Sequence, residues 1–101
     1  MAYAKLTSES ELPHAGEAKE FEFEGRTICV ANVNGTIRAM DNVCLHMGGP
    51  LGQGYIEGDK IVCPWHGWSY DAETGALDDD PQSKVTTYPI KIENGAVMIE
   101  L

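Results

Sequence analysis

Apolar residues in this chain recur at every second position in short runs, and pairs containing glycine separate the runs. Phe21-Glu22-Phe23 alternates with period two and stops at Glu24-Gly25, and a second run covers 27–33. Asn34-Gly35 then gives a strong hairpin-turn signal leading into 36–40. Segments 54–57 and 60–63 flank Gly58-Asp59, and segments 86–93 and 96–101 flank Asn94-Gly95, which predicts two further hairpins. Helical periodicity is nearly absent. Ser8-Glu9-Ser10-Glu11 fits a capping box, but Pro13 and Gly16 end any helix within about a turn. Strands at this spacing predict an all-β sandwich or barrel. Ile28-Cys29-Val30-Ala31 is apolar at consecutive positions, so its strand is expected to be buried on both faces, with Cys29 a small core residue. Residues 78–83 read as a polar loop.

Length and charge narrow the function. A chain of 101 residues is expected to be one domain with a modest core. Seven Lys and Arg against sixteen Asp and Glu give a net charge of -9. That disfavours nucleic acid, which demands phosphate neutralisation, and an anionic membrane surface. Basic protein partners suit it better, although acidity also serves solubility alone. There is no basic region followed by an apolar run of the signal-peptide kind, and no apolar stretch near the ~20 residues of a membrane span. Three cysteines make no disulfide framework here, so a reducing cytoplasm is the expected setting. His14, beside Pro13, reads as a surface residue.

Two short segments carry metal-ligand chemistry. In Cys44-Leu45-His46, residues two apart in extended backbone point to one side, so a thiolate and an imidazole converge on one centre. The same pair recurs in Cys63-Pro64-Trp65-His66. Gly48, Gly49 and Gly52 follow the first pair and Gly67 the second, and glycine lets backbone N–H groups approach a buried anion. Sixteen residues separate His46 from Cys63, and the hairpin at Gly58-Asp59 would set the two loops side by side. Two Cys and two His also suit structural zinc, although the single-residue gap at Cys44 and His46 is tight for it.

With its motifs Cys44-Leu45-His46-Met47-Gly48-Gly49-Pro50-Leu51 and Cys63-Pro64-Trp65-His66-Gly67-Trp68-Ser69-Tyr70-Asp71, the chain resembles the Rieske [2Fe–2S] family. The likeness runs over most of the chain from about Phe21, and takes in 54–58 and Tyr88-Pro89-Ile90. It implies one [2Fe–2S] cluster, with Cys44 and Cys63 on one iron and His46 and His66 on the other, exposed iron. The implied fold is three stacked antiparallel sheets, with a cluster-binding subdomain at about 42–71 in a β base. The loop around Pro81 matches one that covers the cluster in relatives.

Departures from the pattern carry information too. Respiratory members bridge the two loops by a disulfide, but the matching positions here are Gly49 and Trp65. Their hydroxyl residue two positions after the second histidine is Trp68 in this chain, whereas a tyrosine two further on is kept as Tyr70. Fewer donors to sulfur, together with no N-terminal anchor, imply the low-potential, soluble type. Its potential is expected in the lower part of roughly −150 to +300 mV, falling with pH on the alkaline side as reduction raises the imidazole pKa values. The resemblance implies a one-electron ferredoxin, not an enzyme by itself. It would be a monomer that passes electrons from a flavoprotein reductase to a terminal oxygenase, such as an aromatic ring-hydroxylating dioxygenase. A small subunit of a nitrite-reductase-type enzyme and a zinc-binding module are the alternatives. Leu45, Met47, Pro50, Trp65 and Trp68 form a candidate apolar rim for docking, while Trp68 and Leu51 also suit packing of the loops onto the base.

Overall fold

The computed structural model describes residues 3–45, 48–65 and 67–100. Its twelve strands form three antiparallel sheets, and the described residues contain no α-helix. Ala4–Ser8 (β1), Ala96–Ile99 (β12) and Ile90–Glu93 (β11) make the first sheet, in the order β1-β12-β11. The second runs β10-β4-β3-β2, from Thr87–Tyr88 (β10), Thr36–Asp41 (β4), Arg26–Val33 (β3) and Ala18–Phe23 (β2). The third is a meander of Tyr55–Glu57 (β5), Lys60–Val62 (β6), Ser69–Asp71 (β7), Ala76–Leu77 (β8) and Asp80–Lys84 (β9).

The anticipated hairpins form with the turn chemistry their residues dictate. Asn34 and Gly35 both have positive φ, 54° and 93°, as do Asn94 and Gly95 at 52° and 80°. Such turns match the twist of the flanking strands. At Gly58-Asp59 only Gly58 lies in that region, so β5 and β6 are joined by the variant that needs glycine first.

β3 is buried on both faces, as its unbroken apolar run requires. Ile28 and Val30 pack with Ala39, Ile99, Phe21 and Phe23 between the second and first sheets. Cys29 and Ala31 point the other way and pack with Met40, Leu51, Ile61, Tyr70 and Leu77, between the second and third sheets. Burial, and secondarily the charge of Glu20, pushes the Cys29 thiol up to about 12. It is an inert core residue at neutral pH.

Three expectations need correction. Segment 86–93 is not one strand: β10 and β11 lie in different sheets and Pro89, which has no N–H to add to a ladder, stands between them. The polar segment 78–83 is not wholly loop, because from Asp80 it continues as β9 beside β8. Glu9–Glu11 is a single 3-10 turn, and Ser8 makes no side-chain cap hydrogen bond. The exposed His14 sits near Glu17 on the surface, as expected.

Candidate metal centre

Two loops emerge side by side between the second and third sheets. The first leaves β4 at Asn42 and returns through a 3-10 turn at Leu51–Gln53 into β5. The second joins β6 to β7. Each begins with a cysteine, and each is closed in the same way. The Cys44 N–H donates to the Gly49 carbonyl at 2.8 Å, and the Cys63 N–H donates to the Trp68 carbonyl at 2.8 Å. Both bonds span five residues, so the two loops share the same closing bond. In the first loop Val43 also pairs with Pro50, and the Gly48 N–H donates to the Cys44 carbonyl at 3.1 Å.

Cys44 and Cys63 are each 1% exposed and belong to the same buried cluster. Burial raises the Cys63 thiol pKa above its ordinary value; the Trp65 N–H opposes this, and Cys44 beside it adds to the rise. Tyr70 reaches a sulfur. The Leu45 N–H donates to Tyr70 Oη at 2.9 Å, and Tyr70 Oη lies 3.1 Å from Cys44 Sγ, to which it would donate once that sulfur is a thiolate. Burial first, then Cys44, pushes the Tyr70 hydroxyl pKa up, so it stays a donor at physiological pH. The Trp65 N–H points at Cys63 Sγ at 3.4 Å. Gly49 packs against this sulfur: a Cβ there would lie 2.7 Å from Cys63 Sγ and 3.1 Å from the Trp65 ring. Gly49 and Trp65, the pair that stands where respiratory relatives have a disulfide, thus meet across the loops by contact.

His46, Met47 and His66 lie outside the described residues. Among the candidate rim residues, Leu45 and Trp65 are 49% and 47% exposed. Val43, which sequence reasoning did not single out, is 53% exposed. Leu51 is fully buried and Trp68 packs against the same core as the cysteines, so both serve packing. Asp78 and Asp79, with Leu77, line the cleft beside Gly67 and Trp68. Pro81 itself is an exposed residue of β9.

Two buried sulfurs, each close to an N–H or O–H group that can stabilise thiolate charge, are suited to ligating a metal group. The fold is that of an all-β protein with two buried cysteines in two neighbouring loops. The chain matches the Rieske [2Fe-2S] domain model over residues 2–89. It is 40% identical over 87 residues to the ferredoxin component of the naphthalene 1,2-dioxygenase system of Pseudomonas putida, covering 85% of this chain and 84% of that protein. It is 38% identical to the corresponding component from Pseudomonas aeruginosa, covering 90% of this chain and 88% of that one. The solved Sphingomonas yanoikuyae B1 ferredoxin superposes with a TM-score of 0.86 at 35% identity, over 99% of each chain. This chain belongs to the Rieske [2Fe–2S] domain family. Its cofactor is one Rieske-type [2Fe–2S] cluster, and it transfers electrons rather than catalysing a reaction by itself.

Proposed function

We propose that the chain is a soluble, cytoplasmic, monomeric ferredoxin that takes electrons from a flavin-dependent reductase and delivers them to a terminal oxygenase of the aromatic ring-hydroxylating kind. In this reading Cys44 and Cys63 hold one iron, His46 and His66 hold the other, and the cluster-binding subdomain spans about 42–71. The observation that carries it is the pair of buried sulfurs, each beside a hydrogen-bond donor, in two loops that also expose Val43, Leu45 and Trp65. No helix among the described residues is long and apolar enough to cross a membrane.

The cluster, when bound, supplies a one-electron couple. The chain's own part is to place, shield and tune it. Two thiolates and two neutral imidazoles carry two fewer negative charges than four thiolates, which favours taking up an electron. Tyr70 and the Trp65 N–H stabilise charge on the two sulfurs, and the buried core under Leu51 and Tyr70 keeps water from them. Val43, Leu45 and Trp65 are exposed apolar side chains on these loops, of the kind a brief electron-transfer encounter uses.

Absorption and EPR spectra before and after dithionite test the cofactor, and single replacement of His46 or His66 by alanine tests the ligands. Loss of iron and of the reduced-state signal is expected from each replacement. Unchanged iron content and an unchanged signal would rule these histidines out. The midpoint potential should fall with rising pH on the alkaline side, and a flat profile there would speak against imidazole ligation. A large subunit that remains bound through purification would point instead to a reductase subunit.

A further inference from the structure

Asn42 stands apart in the core. Among the described residues it is the one buried polar residue besides the thiols and Tyr70. Its side-chain carbonyl, its side-chain amide and its main-chain carbonyl are each hydrogen-bonded. Its side-chain carbonyl accepts the Gly52 N–H at 2.6 Å, and its main-chain carbonyl accepts the Leu51 N–H at 2.8 Å. Its amide nitrogen donates to Glu20 Oε2 at 2.6 Å. The other carboxylate oxygen, Glu20 Oε1, accepts from Gln53 Nε2 at 3.1 Å.

These bonds have a particular placement. Asn42 is the last residue before the Val43–Pro50 bridge, and Leu51, Gly52 and Gln53 are the first three after it. Both roots of the loop that carries Cys44 are therefore tied to each other through Asn42, and to β2 of the base through Glu20. Glu20 pairs in register with Cys29. The fit is close, because any Cβ at Gly52 would collide with the Glu20 side chain and come within 2.8 Å of Asn42 Oδ1. An apolar residue on β2 would fill the same space. A carboxylate bonded to two amides instead dictates one orientation of the loop, since a buried amide keeps its geometry only while each of its groups has a partner.

We propose that Glu20 is a positioning residue for the metal centre: acting through Asn42, its carboxylate fixes both roots of the first loop and so sets where Cys44 Sγ and the Leu45 N–H lie relative to the cluster. This inference rests on Cys44 being a ligand. Replacing Cys44 by serine with no loss of iron would defeat that reading, and is separate from anything measured at Glu20.

The test compares Glu20→Ala with Glu20→Gln in the iron-loaded protein. Both lack the charge, but only glutamine can still accept from the Asn42 amide, so a difference between them reports position alone. Hydrogen exchange across 51–54, the rate of bleaching by an iron chelator, the EPR g values and the midpoint potential are the readouts. Glu20→Ala should speed exchange across 51–54 at least tenfold, bleach severalfold faster and shift the g values. Glu20→Gln should stay within twofold of the unmodified protein in exchange and bleaching, with its g values kept. Identical behaviour of the two variants would overturn the proposal in favour of a pure charge effect. Equal acceleration by Glu20→Ala at β12, far from the loop, would overturn it in favour of general destabilisation. Should Glu20→Ala not fold, Gln53→Ala removes only the outer amide and should speed exchange across 51–54 in the same direction; no change there would overturn the proposal.

Discussion

At the scale of single residues, the sulfur atoms are governed by a few short contacts. Tyr70 is the sharpest case, since its hydroxyl accepts from Leu45 and lies 3.1 Å from Cys44 Sγ, placed to donate to it as a thiolate. A donor to sulfur stabilises the more negative, reduced state. If that preference is worth about 1 kcal/mol, then Tyr70→Phe should lower the midpoint potential by on the order of 50 mV, since a tenfold shift in a one-electron equilibrium is about 59 mV. Potentiometric titration checks it, and an unchanged potential would mean that the hydrogen bond does not favour the reduced form. Gly49 imposes a steric condition of a different kind. Its φ is outside the left-handed region, so alanine suits the backbone there, yet the added Cβ would press on Cys63 Sγ and the Trp65 ring. Gly49→Ala should therefore fold but load less iron, as an iron-to-protein ratio would record. Full loading would show that Trp65 can yield.

At the scale of elements, turn chemistry was the most legible part of the sequence. Asn34-Gly35 and Asn94-Gly95 name their own hairpins, because few other pairs adopt two consecutive positive φ values. The strand 28–31 announced its two buried faces by having no polar position at all. Short strands were hidden. β7, β8 and β10 have two or three residues each, too few for alternation to show, and they form because neighbouring strands and loop closures hold them. The candidate ligand pairs stand out by residue type and spacing, although both histidines lie outside the described residues. The matching five-residue closures of the two loops do not, being backbone bonds that no side chain signals. Nor do Asn42 and Glu20, whose partnership joins residues far apart in the chain.

The turn after β7 shows how such an element responds to pH. Asp71 Oδ1 accepts the N–H groups of Glu73 and Thr74 at 2.9 and 3.0 Å. These bonds, led by that from Thr74 and aided by Lys60, hold its carboxyl below its usual 3.8. A depressed folded-state value stabilises above the unfolded pKa and is lost as pH falls through the folded one. Asp71→Asn, which keeps an acceptor without the charge, should therefore melt about 3 °C lower at neutral pH, allowing for solvent screening. The gap should close progressively below about pH 4. Thermal melts at pH 7 and pH 3 decide this, and a gap of equal size at both would assign the effect to geometry alone.

For the whole molecule, net charge governs encounter. A charge of -9 attracts a partner with a basic face over roughly the ~8–10 Å that physiological salt leaves unscreened. The second-order rate of electron delivery to a basic redox partner should then fall severalfold between about 10 mM and 200 mM salt. Stopped-flow traces at several ionic strengths measure it directly. A rate that ignores salt would place the encounter under the control of apolar contacts such as those of the exposed Val43, Leu45 and Trp65.

β3 has a mechanical consequence beyond its part in the core. Because its neighbouring residues anchor opposite layers, the base and the loop-bearing sheet share a common wall, one strand thick. A displacement on either side must cross only a single backbone to be felt on the other. The two layers are thus poorly suited to melting one at a time, and the roots of the loops inherit the rigidity of the entire stack.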